Sequence, residues 1–144
     1  MLRISAANFA AIRQYAEEAY PFECCGILVG KFDGDHRDVE LIVVCTNIAG
    51  SQQSVYEIDP RKLISTQREA RERGLEIVGF YHSHPDHPAR PSPTDLEHAH
   101  WIGCSYVITS VSANGTQDTK SFHLGGRLEE DKHFEEETLV LESS

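Results

Sequence analysis

The spacing of apolar residues near the start of the chain is helical. Phe9, Ile12 and Ala16 recur at intervals that place them on one face of a helix. Ser5 is a suitable N-cap for it, and the pattern predicts a helix from there to about Tyr20, just before a proline.

Apolar runs after this helix are typical of strands. They occur in the segments CCGILVGKF, VELIVVCTNIA and SVYEI. DGD, at residues 33–35, favours a hairpin turn between the first two segments. LEIVGFYHSH has the strongest strand pattern, and this segment ends in two histidines. The pattern therefore predicts a sheet with a histidine pair at the end of one strand.

Two more helices are predicted from their start signals. Asp59 followed by Pro60 is typical of an N-cap and a first helical position, and this helix should stop at Gly74. Prolines keep the segment PDHPARP irregular. Ser92-Pro93-Thr94-Asp95 then opens a third helix, which we expect to end near residue 103.

The remaining pattern completes an α+β layout. Further strands are predicted in CSYVITSVS, in KSFHL and near HFEEETLVL. Helices and strands in this order predict a mixed sheet with helices packed on it. We expect residues 1–144 to form a single domain, which ends in an acidic segment of about residues 126–144 whose pattern allows an edge strand.

Composition narrows the classes of function. The net charge is −10, and acids interrupt the basic cluster at residues 61–73, so nucleic-acid binding is not expected. No apolar run is long enough to span a membrane, and the N-terminus lacks the apolar core of a signal peptide. We therefore expect a cytoplasmic protein without a membrane partner. The four cysteines form no CxxC pair, which favours reduced thiols over a cysteine-rich zinc site.

The two histidines at the strand end are the first candidate for chemistry. His82 and His84 are two positions apart, so in a strand they share a face, about 6.5 Å apart along the chain. Ser83 must face the other way. Two imidazoles in this arrangement can converge on one zinc ion. Alone, such a pair is more often a surface feature than a ligand pair.

Asp95 is the candidate third ligand. The proline-stiffened loop could return its carboxylate to the histidines from the first turn of the third helix. Three protein ligands would leave a fourth position open, as in catalytic zinc sites. The alternative is that Ser92 and Asp95 only cap the helix, since an acid in the first turn is favourable without any metal.

A catalytic site of this type also needs a non-ligating acid. Glu23, directly before an apolar strand, is the best candidate for a general acid/base, because a charge there is costly to bury without a partner. The alternatives are that Glu23 is exposed at the strand start, or that Glu97 takes this role. Ser92 either caps the helix or donates a hydrogen bond to an oxyanion. The other histidines are expected at the surface, although His98 could support Asp95.

Taken together, these residues resemble a known family. Glu23, then HSHP at residues 82–85, then Ser92 and Asp95 look like the motif of the JAMM (MPN-plus) zinc metallopeptidases, small stand-alone prokaryotic type. PFECCGILVG also resembles the family's Glu-x-Cys-Gly strand. The resemblance implies a cytidine-deaminase-like three-layer sandwich, with a mixed curved sheet flanked by helices.

The same resemblance implies a function. One Zn²⁺ per chain would be held by His82, His84 and Asp95, with Glu23 as general acid/base and Ser92 supporting the oxyanion. The implied reaction is hydrolysis of the peptide or isopeptide bond after the C-terminal Gly-Gly of a ubiquitin-like sulfur-carrier protein. The protein itself would be a monomer or a homodimer.

Two related alternatives remain at this point, a RadC-like protein and a non-catalytic, zinc-stabilised MPN interaction module. A nucleobase deaminase is disfavoured. That class combines His-x-Glu with Pro-Cys-x-x-Cys, and the chain does not contain the combination.

Overall fold

The computed structural model describes residues 1–143. Within them the chain forms eight strands and three helices. In chain order these are β1 (Leu2–Ser5), α1 (Ala6–Ala19), β2 (Cys25–Asp33), β3 (His36–Cys45), α2 (Pro60–Glu72), β4 (Glu76–Pro85), α3 (Pro93–His98), β5 (Ser105–Ser112), β6 (Gly115–Gly125), β7 (His133–Glu137) and β8 (Leu139–Glu142).

The strands form one mixed sheet in the order β7-β6-β5-β4-β2-β3-β1-β8. β4 runs parallel to β5 and antiparallel to β2, and β1 is parallel to both β3 and β8. The strands at the two ends of this order, β7 and β8, are separated along the chain only by Thr138. The sheet must therefore curl until its two ends meet, which confirms the predicted mixed curved sheet.

Apolar side chains fill both faces of the sheet. On one face α1 packs over the central strands, and this core contains Leu2, Ile4, Ile12, Leu28, Val39, Val78, Tyr81 and Val107. The core on the other face lies under α2 and α3 and includes Cys25, Ile27, Val29, Ala70, Ile77, Phe80, Tyr106 and Leu124. Helices thus flank the sheet on both sides, which confirms the three-layer arrangement.

The start signals of the helices are confirmed. Ser5 Oγ accepts a hydrogen bond from Asn8 N at 3.0 Å, and the Asp59 side chain accepts one from Arg61 N. The hairpin between β2 and β3 is also present, and Gly34 adopts there the positive φ of 61° that a tight turn requires.

The predicted strand SVYEI is wrong, because this segment pairs with no strand of the sheet. The side chain of Asn47 takes the place of a neighbouring strand. Its Nδ2 donates to the carbonyl of Val55 at 3.0 Å, and its Oδ1 accepts from the backbone N–H of Glu57 at 3.0 Å. Local alternation correctly indicated an extended chain but could not show what pairs with it.

The third helix ends at His98 rather than near residue 103. Contacts from outside the helix replace its last turn. Lys132 Nζ donates to the carbonyl of Ala99 at 2.8 Å and to that of Glu97 at 3.2 Å. The ring of Trp101 packs edge-on against Phe80, with centroids 5.4 Å apart.

The two ends of the chain also differ from the prediction. β1 precedes the first helix and was not predicted. The stretch near HFEEETLVL forms two strands, β7 and β8, rather than one. They lie at opposite ends of the strand order.

Candidate metal centre and active site

β4 carries the histidine pair into the interior. All but its first residue are buried, and its C-terminal end lies between β2 and β5. His82 and His84 are 1% and 7% exposed, and their Nε2 atoms are 3.1 Å apart. The two imidazoles therefore converge on one point, as the strand spacing predicts.

Asp95 reaches the same point from α3. Its Oδ1 lies 3.4 Å from His82 Nε2, and its Oδ2 lies 3.0 Å from His84 Nε2. The same carboxylate completes a capping box: Asp95 Oδ2 accepts from Ser92 N at 2.8 Å, and Asp95 N donates to Ser92 Oγ at 3.0 Å. The capping arrangement holds the carboxylate beside the histidines, so the two interpretations of Asp95 are compatible.

The three side chains fit a zinc ion. One ligand atom from each lies within 4.8 Å of the other two. Ligands in a tetrahedral zinc site, with bonds of about 2.0 Å, lie about 3.3 Å apart, and the contacts here are 3.0–3.4 Å. His84 Nδ1 lies 2.9 Å from the carbonyl of Pro88 and can donate to it, which leaves the Nε2 lone pair for the metal.

The electrostatics of the metal-free cluster favour the metal-binding forms of His82 and Asp95. Burial lowers the pKa of His82 despite its contact with Asp95, so this imidazole is neutral, the form that binds metals. Burial alone would raise the pKa of Asp95, but hydrogen bonds from His82 and His84 hold it well below its usual range. Burial opposes protonation of His84, yet its bonds to Asp95 and the Pro88 carbonyl outweigh that and raise its pKa.

Glu23 is buried beside this cluster, which rules out the exposed alternative. The residue is 5% exposed, and Oε1 has no hydrogen-bond partner among the described residues. Burial raises the pKa of Glu23 to about 8, although His84 acts to lower it and Asp95 adds to the rise. A buried, unpartnered carboxylate is costly unless the site uses it. Glu97, the competing acid, is exposed on α3.

Ser83 fixes the backbone next to Glu23. The β2–β4 ladder ends with the pair Cys25 and His82. Beyond it, Ser83 Oγ accepts from Cys24 N at 2.8 Å, and Ser83 N donates to the Cys24 carbonyl at 3.2 Å. Alternation placed Ser83 on the opposite face correctly but gave no indication of this contact. All four cysteines are free thiols, as expected.

The hydroxyl of Ser92 caps α3 by accepting from Asp95 N. Among the described residues it donates to none, so its proton is available. His98 makes no hydrogen bond to Asp95 in the described chain, and its side chain is exposed. The expected support of Asp95 by His98 is therefore not seen.

A cavity of about 320 Å³ adjoins the cluster on the face covered by α2 and α3. Tyr56 lines this cavity, and its ring stacks on His82 with centroids 4.3 Å apart. The other lining residues are mostly apolar or aromatic: Ile58, Leu63, Phe80, Trp101 and Tyr106, with Glu57, His98 and His100. Sequence reasoning missed Tyr56 and Trp101, because the cavity that both line is formed by segments far apart in the chain.

Helices of membrane-spanning length and hydropathy are not found in residues 1–143.

The model of a protein family, described as prokaryotic homologs of the JAB domain, matches residues 5–124. The chain belongs to this family. The prediction of a small prokaryotic protein of the JAMM type is confirmed.

Relatives with assigned activities are similar over much of their length. A desampylase from Haloferax volcanii is 41% identical over 96 residues, which are 67% of this chain and 68% of that protein. A probable TtuB-protein conjugate cleaving protease from Thermus thermophilus is 34% identical over 72% of this chain and 63% of that protein. A CysO-cysteine peptidase from Mycobacterium tuberculosis is 28% identical over 86% of this chain and 83% of that protein. The predicted enzyme class, a hydrolase of peptide or isopeptide bonds, is confirmed.

Solved structures resemble the whole chain. A protein from Desulfitobacterium hafniense, determined in solution, has a TM-score of 0.83 and 32% identity, covering 100% of this chain and 94% of that one. A protein from Salinibacter ruber has a TM-score of 0.72 and 34% identity, covering 97% of this chain and 91% of that one. The fold seen here is therefore also found in experimental structures.

Proposed function

We propose that this protein is a zinc-dependent peptidase or isopeptidase that hydrolyses the amide bond after the C-terminal Gly-Gly of a ubiquitin-like sulfur-carrier protein. The observation that carries the proposal is the unpartnered carboxylate oxygen of Glu23, buried beside three converging metal ligands. The substrate class is supported by the names of the relatives, which cleave protein conjugates or a carrier-cysteine bond.

In this proposal His82, His84 and Asp95 hold one zinc ion. Zinc bound there would supply a Lewis acid for the scissile carbonyl and would lower the pKa of water, so that a nucleophile is available at neutral pH. Glu23 takes the proton of the attacking water at Oε1 and passes it to the leaving amine. Glu23 is buried beside the metal ligands and its Oε1 makes no hydrogen bond to a described residue, so this oxygen is free to accept a proton and to return it.

Ser92 has a second role in the proposed reaction. Its oxygen accepts the capping bond from Asp95 N, while its hydroxyl proton is not donated to any described residue. That proton can be donated to the oxyanion that forms at the scissile carbonyl. Capping and catalysis then use different atoms of the same hydroxyl group.

The carrier's tail has a suitable place beside the metal ligands. Val55 and Glu57 turn their backbone groups toward Asn47, which is the alternation of an extended chain. The backbone groups of Tyr56 and Ile58 make no hydrogen bond within residues 1–143, and in an extended chain such alternate residues face away from Asn47. An extended Gly-Gly tail can pair with this open edge by β-augmentation, with its last carbonyl at the metal site.

Metal content tests the site directly. The wild type should contain close to one zinc per chain by elemental analysis, and Asp95→Ala should contain close to none. Asp118→Ala, which removes an exposed carboxylate on β6, is the control and should keep the metal. A wild type that takes up no zinc even when it is supplied would contradict the proposal.

Cleavage assays test the substrate. Ubiquitin-fold carriers ending in Gly-Gly should be joined either to free cysteine or to a lysine side chain, and product formation followed by mass spectrometry. Wild type should cleave at least one of the two, and Asp95→Ala neither. A zinc-loaded wild type that cleaves neither would support the non-catalytic interaction module instead.

A further inference from the structure

The side chain of Asn47 is the most fully hydrogen-bonded amide near the site. Its Nδ2 donates to the carbonyl of Glu23 at 3.1 Å and to that of Val55 at 3.0 Å. Its Oδ1 accepts from the backbone N–H groups of Ala49 and Glu57, each at 3.0 Å. A primary amide has two N–H donors and two acceptor lone pairs, so Asn47 uses its whole capacity.

These bonds join two parts of the site that the sheet does not hold. Glu23 lies beyond the last paired residue of β2, so no strand ladder fixes its backbone. Tyr56 lies between two of the partners of Asn47 and stacks on the metal-ligand candidate His82. The amide of Asn47 thus sets the position of the candidate base, Glu23, and that of residues 55–58, which form the open edge.

Gln52 closes the same loop around Glu23. The backbone N–H of Glu23 donates to the Gln52 carbonyl at 2.7 Å, and Gln52 Nε2 donates to the Asn47 carbonyl at 3.1 Å. Both backbone groups of Glu23 are therefore bound by the loop that also carries Tyr56. The carboxylate of Glu23 stays free of such bonds, as a proton carrier requires.

We propose that Asn47 is a positioning residue, whose amide aligns the carboxylate of Glu23 with the metal ligands and holds residues 55–58 to receive the substrate tail. The inference rests on the proposed function and deepens it. Because one side chain serves both tasks, its loss should disturb catalysis and substrate binding together. Replacement of Glu23 alone should disturb only catalysis, and replacement of Tyr56 mainly binding.

Asn47→Asp is the sharpest variant. It keeps the size of the side chain and one acceptor oxygen, but it removes both N–H donors and sets a charged oxygen against two carbonyls. Misplacement of a catalytic group by about 1 Å can cost about 100-fold in rate, so we expect kcat to fall about 10- to 100-fold and KM to rise, with one zinc per chain retained. Asn114→Asp adds the same charge in the exposed β5–β6 turn and should change neither constant.

A double variant shows whether Asn47 acts through Glu23. In a Glu23→Gln background, Asn47→Asp should lower kcat no further, because the group that it positions is already absent. Independent losses in the double variant would overturn the proposal. A merely structural role, in which Asn47→Asp lowers the melting temperature but leaves kcat and KM of the folded protein unchanged, would also overturn it.

Hydrogen exchange tests the role of Asn47 without any substrate, so its result does not depend on the substrate assignment. If the wild type cleaves no carrier conjugate, the proposed function fails, but the role of Asn47 in ordering the loop remains measurable. Asn47→Ala should then speed exchange of the backbone N–H groups of Glu57 and Glu23, while those of β4 stay protected. Unchanged exchange at both glutamates would overturn the positioning role whatever the substrate.

Discussion

Glu23 and Glu137 are both shielded from water, at 5% exposure for the first and 7% for the side chain of the second, yet their surroundings are opposite. The carboxylate of Glu137 pairs with Arg37 and accepts hydrogen bonds from Ser105 at 2.6 Å and Ser121 at 2.8 Å. Burial alone would raise the pKa of Glu137, but these bonds outweigh it and lower the pKa. Glu23 has an oxygen without a partner and a pKa raised to about 8 by burial.

The difference separates two uses of a buried carboxylate. Glu137 joins β7 to β3, β5 and β6 on the face covered by α1, and its charge is matched by a guanidinium and two hydroxyls. Its surroundings favour the charged form, as in a structural ion pair. The surroundings of Glu23 favour the protonated form and leave an oxygen free to exchange a proton. Such a site is costly for folding and useful for catalysis.

The largest effect is expected from Glu23→Gln, which keeps the shape of the side chain and removes the proton acceptor. Loss of a general acid/base typically costs about 10²- to 10⁴-fold in rate. We expect kcat with a carrier conjugate to fall by that amount while zinc content stays at one per chain. Glu97→Gln, on the exposed face of α3, is the matched control. A Glu23→Gln enzyme that keeps its turnover would refute the assignment of the base.

The second variant, Glu137→Gln, should act on stability. Removal of one charge from a buried ion pair costs about 3–5 kcal/mol, since the other charge is left without a partner. We expect the free energy of unfolding, measured with chemical denaturant, to fall by about that much. Glu136→Gln, an exposed neighbour on β7, should change it by less than about 0.5 kcal/mol. If the two variants are equally stable, Glu137 is not a structural charge.

The pH dependence should have opposite signs for the two glutamates. Between about pH 4.5 and 8, metal-free folded protein retains the Glu23 proton that the unfolded chain has lost, so this group lowers stability as the pH rises. Relative to wild type, metal-free Glu23→Gln should therefore gain about 2–4 kcal/mol between pH 5 and pH 8. Glu137, whose pKa is lowered on folding, stabilises above its unfolded pKa and loses this effect as the pH falls.

Denaturation at several pH values, with chelator present, measures this difference. A gap between Glu23→Gln and wild type that stays constant from pH 5 to pH 8 would show that burial does not raise the pKa of Glu23. The control is the same titration of Glu97→Gln, which should follow the wild type throughout.

The smallest expected effect is that of removing a single hydroxyl group, that of Ser92. Ser105 and Ser121 donate their protons to Glu137, whereas Ser92 accepts a capping bond and keeps its proton. Ser92→Ala should cost about 1 kcal/mol of stability through the lost cap. If Ser92 also supports the oxyanion, kcat should fall in addition. Thr94→Ala, at an exposed position of the same helix, should change neither quantity, and an unchanged kcat in Ser92→Ala would restrict Ser92 to capping.

Much of the site could be predicted because its signals are local. The two-residue spacing of His82 and His84 fixes a shared strand face, and the capping residues of α3 lie within one turn of each other. Glu23 is different, since its burial depends on how β2 leaves the sheet. Its position before an apolar strand made it a candidate for the acid of the histidine site, and the resemblance to a family supported that link.

The missed features depend on contacts between distant parts of the chain. β1 and β8 are too short for their periodicity to be distinguished from a loop, and they become strands by pairing with each other. The early end of α3 follows from Lys132, which is far along the sequence from the helix. The role of Asn47 could not be predicted from the sequence. An asparagine in a loop has the same local pattern whether its side chain bonds to water or to the backbone of the site.

The joining of β7 and β8 through Thr138 has a consequence for how the protein is made. A chain leaves the ribosome from its N-terminus, so β1 emerges long before β8, its neighbour in the sheet. Residues 133–142 cover the free edges of both β6 and β1. Until they are synthesised, the nascent chain exposes two unpaired strand edges, which are prone to pair with other chains. The sheet can therefore be completed only once residues 133–142 have emerged, and a chaperone that binds the chain before that point should bind at these two edges.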